Sequence, residues 1–275
     1  MSSPTTSKAK RRARESATST DDFLGGCISV VQPRGGHRAG SDAVFLAASV
    51  PARAGERVLD VGAGAGVAGL CLLARVSGVH ITAVEIDRRL AALAARNAAR
   101  NGFADHFRAV TADVRSPGRA LSEAGLKREG YHHLIANPPF YAGTRVRAAP
   151  DSARATAHVM PDGGLSDWVS LFATMARPNG LLTLIHRPDC LEELLSVLYG
   201  RFGGIAVFPL FPRAGEAATR IIVQAKKGSR AGLSLLPGLV LHEADGRYTE
   251  AAEAVLRGGD ALELYRSSDG KSPER

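Results

Sequence analysis

Four successive strand-like segments of this chain end on polar side chains suited to gripping a ligand, and no other feature restricts the fold so tightly. Arg57 to Val61, His80 to Val84, Phe107 to Thr111 and His132 to Ala136 are short apolar runs, closed in turn by Asp60, Glu85, Asp113 and Asn137. Helical periodicity fills 67–76 and 88–101, the second stretch stopping at Asn101-Gly102, a C-terminal signal. Further helices are expected at 165–177 and 189–201, with strands at 181–186, 204–211 and 219–226. Strands alternating with helices predict an α/β layer fold with a mainly parallel sheet. Ligands bind such open sheets at the C-terminal edge of the strands, whereas chance would scatter polar residues over both edges.

The first strand runs into Asp60-Val61-Gly62-Ala63-Gly64-Ala65-Gly66. Glycines at 62, 64 and 66 let the backbone approach a ligand that side chains would hit. Glu85, ending the next strand, is placed to accept hydrogen bonds from ribose hydroxyls. Gly64 to Gly69 also fits the dinucleotide fingerprint G-x-G-x-x-G, with an acid about 20 residues on. Against it stand the late start of that match and the acid Asp60 ahead of the first glycine. The pattern Asp60-x-Gly62-x-Gly64-x-Gly66 looks like that of Rossmann-like methyltransferases, and it predicts S-adenosylmethionine as the ligand. Asp113 would then accept from the adenine amino group of that donor, or else serve as an ordinary strand-end acid or helix cap.

Asn137-Pro138-Pro139-Phe140 closes the fourth strand. The prolines fix the backbone and remove two N–H donors, leaving the Asn137 side-chain oxygen and the Pro138 carbonyl as acceptors. A planar amino nitrogen is a poor nucleophile because its lone pair is delocalised. Acceptors on its hydrogens draw it towards a tetrahedral shape and aim it at a methyl group. Phe140, with Tyr141, offers a ring to stack on a flat base, worth about 1–3 kcal/mol. The competing reading is a plain turn at a strand end. Residues 141–164 lack periodicity and carry Arg145, Arg147 and Arg154, which suit phosphate contacts around an extruded base; a solvated loop is the alternative. Upstream, Ser41 or Asp42 is a candidate N-cap for a helix over 43–50, and Asp42 a candidate contact to the donor's methionine end. His132 and His133 alternate across a strand and make no metal site.

The formal charge of +8 favours an anionic partner. Residues 1–22 are expected as a disordered basic tail of net +2, so the remaining +6 belongs to the folded part. One domain is expected over 23–265, with 23–56 an extension packed on the core and 266–275 a flexible end. Cys27, Cys71 and Cys190 show neither zinc spacing nor a disulfide framework. Apolar runs too short for a membrane span, and the lack of a secretory signal, complete the expectation of a cytoplasmic protein.

Beyond these motifs, Arg38-Ala39-Gly40-Ser41-Asp42-Ala43-Val44-Phe45-Leu46, Glu85-Ile86-Asp87, Asn97-Ala98-x-x-Asn101-Gly102 and Leu239 to Thr249 stand out. With them the chain resembles, over about 23–265, the bacterial tRNA (adenine-N6)-methyltransferases that modify the adenine beside the anticodon of a valine tRNA. The resemblance implies a class I fold with a seven-stranded, mostly parallel sheet flanked by helices, S-adenosylmethionine as donor and RNA as partner. Asn137 to Phe140 would then hold the adenine, and Glu85 and Asp113 the donor. Departures are His132-His133 where relatives often carry an acid, and Phe140 where many carry tyrosine. A protein glutamine N-methyltransferase fits the same motif, though such relatives tend to carry an N-terminal helical domain that 1–56 does not supply. From other classes, a nicotinamide-dependent oxidoreductase and a non-catalytic RNA-binding protein remain.

Overall fold

The structure, a computed structural model, describes residues 18–36, 38–116, 118–139 and 164–264. The described residues open with β1 (Thr18–Phe23) and β2 (Ile28–Pro33), an antiparallel hairpin. Then follow α1 (Ser41–Ala48), β3 (Arg57–Val61), α2 (Val67–Arg75), β4 (His80–Glu85), α3 (Arg88–Arg100) and β5 (Phe107–Thr111). Next are α4 (Gly118–Glu123), β6 (Tyr131–Ala136), α5 (Gly164–Met175), β7 (Ala176–His186), α6 (Leu191–Leu198), β8 (Phe202–Phe211) and β9 (Arg220–Lys227). Two-residue strands β10 (Ser234–Leu235) and β11 (Leu239–Val240) and the short helix α7 (Glu250–Glu253), continued by a π-helical turn at Ala254–Gly258, are the last described elements.

The main sheet runs β5-β4-β3-β6-β7-β9-β8, the expected seven strands, with β9 antiparallel to both neighbours. The short β10 and β11 both pair with β8, so the sheet carries two edge strands beyond the expected seven. From β3 the chain moves outward through β4 and β5, then returns to place β6 on the other flank of β3. That reversal makes the β3/β6 junction the switch point, where neighbouring loops diverge and leave a crevice.

The sheet is buried on both faces, so its strands read as apolar runs rather than as apolar–polar alternation. Successive side chains still point to opposite faces. Val58, Ile81, Ile135, Ile185 and Ile222 pack with α1, α2 and α3. Leu59, Val84, Leu134, Leu184 and Val223 pack with α4, α5 and α6.

Three local expectations change. The tail expected over 1–22 ends earlier, because Thr18–Phe23 pairs residue by residue with Ile28–Pro33. As an edge strand with one partner, β1 needs no apolar pattern, and its alternate residues are only half-buried. Residues 1–17 and the C-terminal end from 265 lie outside the described residues. Helix α1 starts at Ser41 with Gly40 as N-cap, so neither Ser41 nor Asp42 caps it. Helix α4 was not expected; six residues give too short a window for helical periodicity to register.

Candidate active site

The strand register places the motif residues side by side. Val61 pairs with Val84 on one flank and with Ala136 on the other. One residue further along, Glu85 ends β4, and Gly62 and Asn137 are the first residues beyond β3 and β6, so the three meet at the ends of adjacent strands. Two inter-strand steps make the separation of Glu85 and Asn137 about 10 Å at the backbone.

The loop after β3 is held mainly by the end of β4. Val84 O accepts from Gly62 N at 2.8 Å and from Ala63 N at 3.0 Å. Glu85, only 9% exposed, accepts from Gly64 N through Oε2 at 2.8 Å and from Asp87 N through Oε1 at 3.0 Å. Gly62, Gly64 and Gly66 all have positive φ, as the loop requires. Their missing side chains serve different purposes. A Cβ at 62 would stand 2.7 Å from Trp168 Cη2, and one at 66 would stand 3.1 Å from Phe107 Cζ and 3.2 Å from Ala94 Cβ. At 64 nothing lies within 4 Å. The glycines at 62 and 66 thus make way for the protein itself, and of the three Gly64 alone faces open space.

Asp60 is buried and, with Val58, turns to the α2 face of the sheet. Its Oδ2 accepts from Gly69 N at 3.2 Å. Gly66, the N-cap of α2, has no side chain to satisfy the first amides, and Asp60 takes over that task from the neighbouring strand. Burial above all, with the nearby Glu85 charge adding to it, raises the Asp60 carboxyl to about 7. Gly69, the last glycine of the dinucleotide-like match, lies within α2, where a Cβ would meet Ile81 and Phe107.

Asp113 follows β5 and forms an ion pair with Arg115, with Oδ2 2.6 Å from Nη2. The guanidinium holds the carboxyl below the ordinary carboxylate range. Asp42 stands at the start of α1 and accepts from Arg220 Nε at 2.8 Å, joining α1 to β9. Asn137 and Pro139 are partly buried and Pro138 is buried. Phe140, Tyr141, Arg145, Arg147 and Arg154 lie outside the described residues.

Two contributors were not expected. Trp168, the single tryptophan of the chain, packs over Gly62 from α5 and meets Phe172 edge-on at 6.3 Å. Asn97, buried on α3, donates to Ala65 O at 3.0 Å and so steadies the glycine loop from the helix side. The Asn97/Asn101 spacing was visible in the sequence, but its target was not. Another groove, lined by Glu243, Asp245, Arg247, Glu253 and Arg257 among others, takes in part of the Leu239 to Thr249 stretch but none of the residues at the C-terminal strand ends, and these arginines are paired within it. Among the described residues no helix is long and apolar enough to cross a membrane.

A glycine loop pinned to a strand-end glutamate at the switch point, with an Asn-Pro-Pro turn two strands away, defines a Rossmann-like methyltransferase that uses S-adenosylmethionine. Residues 38–166 match the methyltransferase small domain. A solved structure titled as a predicted O-methyltransferase from Agrobacterium tumefaciens is 31% identical with a TM-score of 0.69; the match covers 81% of this chain and 98% of that one. The chain belongs to this methyltransferase family. It is 27% identical, over 78% of its length and 86% of the relative, to the tRNA1(Val) (adenine(37)-N6)-methyltransferase of Aeromonas hydrophila. The enzyme of the same name from Bacteroides fragilis is 30% identical over 58% of this chain and 64% of the relative. The oxidoreductase reading falls with this membership.

Proposed function

We propose that this enzyme methylates the N6 amino group of adenine in RNA, with tRNA as substrate. The observation that carries the reading is the placement of Glu85, Gly62 and Asn137 at the ends of adjacent strands in register, which sets a nitrogen-gripping segment beside a hydroxyl-binding loop. S-adenosylmethionine supplies an electrophilic methyl group. Glu85 fits such a donor, because each of its oxygens takes one backbone N–H and retains a lone pair for a ribose hydroxyl. The open space at Gly64 admits the ligand against the backbone. Gly62 and Gly66 keep the loop seated, and Asp60 acts from beneath it by capping α2. Asp113 serves the adenine end after exchanging part of its pairing with Arg115, and Asp42 stands near the methionine end.

On the acceptor side, the Asn137 side-chain oxygen and the Pro138 carbonyl take the two hydrogens of the amino group. Pro139 fixes the turn, and Phe140 stacks on the base. Tyr141, Arg145, Arg147 and Arg154 complete the substrate side. The proton is lost after the nitrogen becomes cationic, so no strong base is needed. The Agrobacterium relative is described as a predicted O-methyltransferase. A hydroxyl acceptor has one proton and needs a base to take it, whereas a pair of acceptors is the equipment of an amino group. The tRNA-directed names of the Aeromonas and Bacteroides relatives and the charge of +8 favour RNA as the carrier. Function in the cytoplasm follows from that substrate.

Labelled methyl from S-adenosylmethionine, offered to tRNA from cells lacking this gene with cell protein in parallel, should appear as N6-methyladenosine. Label in glutamine would move the acceptor to protein, and label in neither would overturn the proposal. Asn137→Ala should lose about 2.7–4 kcal/mol of transition-state stabilisation, by analogy with loss of an oxyanion-hole donor, while retaining donor binding. Unchanged turnover would dismiss the role of Asn137.

A further inference from the structure

We infer that the exposed face of α3 is a docking ridge for the phosphate backbone of the RNA, an inference that rests on the proposed activity. The exposed residues of this helix are Arg88, Arg89, Ala92, Ala95, Arg96, Ala99 and Arg100: arginine and alanine only. At 100° per residue the four arginines fall within about 120° of the helix circumference and extend about 18 Å along its axis. Asp87, Arg88, Arg89, Ala92 and Arg96 line a shallow groove beside the end of β4, where Glu85 stands.

The ridge differs in its pairing from six other surface arginines. Arg115, Arg119, Arg187, Arg213, Arg247 and Arg257 each hold a carboxylate two to four residues away. Among the described residues none of the four α3 arginines forms an ion pair. The one nearby acid, Asp87, uses its side chain to cap the Arg89 amide. Helix stability accounts for Arg100, which lies in the last turn at the negative end of the dipole, but not for Arg88 and Arg89. The first turn carries Arg88 and Arg89 and no acid, although the positive end of the helix dipole favours acids there. A solvated helix face would mix signs. An unpaired row of guanidinium groups separated by small side chains instead leaves each fork free for a phosphate oxygen, and the low relief lets a polymer lie along it. Its upper end meets the donor edge, so RNA lying on the ridge approaches the site where its base is modified.

The test compares Arg89→Ala/Arg96→Ala/Arg100→Ala with a control of equal charge change, Arg128→Ala/Arg201→Ala/Arg230→Ala. The control residues also lack ion pairs among the described residues, and they flank the starts of β6 and β8 and the end of β9 at the opposite edge. Binding of an unmodified tRNA transcript is measured from about 0.05 to 0.2 M salt, with S-adenosylmethionine binding measured in parallel. The ridge variant should bind tRNA about 10- to 100-fold more weakly, and the slope of log affinity against log salt should flatten by about two to three. Donor affinity should be unchanged, and the control should stay close to wild type. A ridge variant with wild-type affinity and slope, or a control weakened equally, would overturn the inference. If wild type still methylates tRNA adenine in that case, the activity stands and only the ridge is lost. If wild type labels no RNA, both fall together.

Discussion

Single residues at the donor loop carry separable tasks. Gly62 and Gly64 share a left-handed backbone, at φ 69° and φ 57°, and differ only in what their missing side chains face. Gly64→Ala adds a methyl group in open space, so its cost to the fold is the strain of a left-handed residue, roughly 1–2 kcal/mol. Donor affinity should fall in that variant, because the methyl group occupies the approach to the loop. Gly62→Ala carries the same strain and must also move the nearly buried Trp168 ring, which adds about 1–3 kcal/mol of overpacking. Denaturant titration should rank Gly62→Ala clearly below Gly64→Ala, and calorimetric titration should show weaker donor binding for Gly64→Ala. Equal stabilities, or wild-type donor affinity in Gly64→Ala, would show that the two glycines are not divided in this way.

At the scale of elements, the N-terminal hairpin is joined to the core by two amides on α3. Asn97 accepts from Val31 N and donates to Val31 O, both at 3.0 Å; Asn101 accepts from Ser29 N and donates to Ser29 O, both at 2.9 Å. Residues four apart on a helix are separated by about 6 Å, close to two residues along a strand, so the pair imitates a neighbouring strand for β2. Asn97→Ala should cost about 1–3 kcal/mol through the backbone groups it leaves unmet. The amides of Ser29 and Val31 should then exchange faster with solvent while those of β3 and β4 stay protected. Unaltered exchange at Ser29 and Val31 would sever the proposed link. The helix was legible in the sequence from its periodicity and its Asn101-Gly102 stop. The hairpin was not, since β1 is polar and the partners of β2 lie 66 and 72 residues away.

For the whole molecule, buried ionisable groups set opposing slopes of stability with pH. Burial pushes His133 and His186 down from the ordinary histidine value, with the Glu56 carboxylate resisting at His133 and the Asp189 carboxylate at His186. Below pH about 6.5 the unfolded chain takes up these protons before the folded one, so their contribution is complete above that value and is lost as pH falls. Asp60 acts in the other sense. Its carboxyl is raised from 3.8 to about 7, so its contribution is complete below 3.8 and is lost as pH rises through 7. Asp60→Asn keeps an acceptor for Gly69 and removes the second slope. Between pH 4 and 6.5 its stability should climb with pH more steeply than that of wild type, and near pH 8 it should exceed wild type. Denaturation midpoints across that range test the assignment; parallel curves for the two proteins would contradict a carboxyl titrating near 7.

The sequence by itself determined strands β3 to β9, the polar ends of β3 to β6 and the glycine loop. Periodicity, turn chemistry and the placement of a polar residue at the end of an apolar run are properties of neighbours along the chain. Three-dimensional packing decided what each residue faces. Asp60 became a helix cap because strand alternation turned it under α2, and two loop glycines were fitted to Trp168 and to Phe107 with Ala94. The continuous arginine ridge also needed the folded chain, because only packing of α3 on β2, β4 and β5 fixes which helix residues remain outside. Such contacts join residues far apart in sequence, and no local pattern records them.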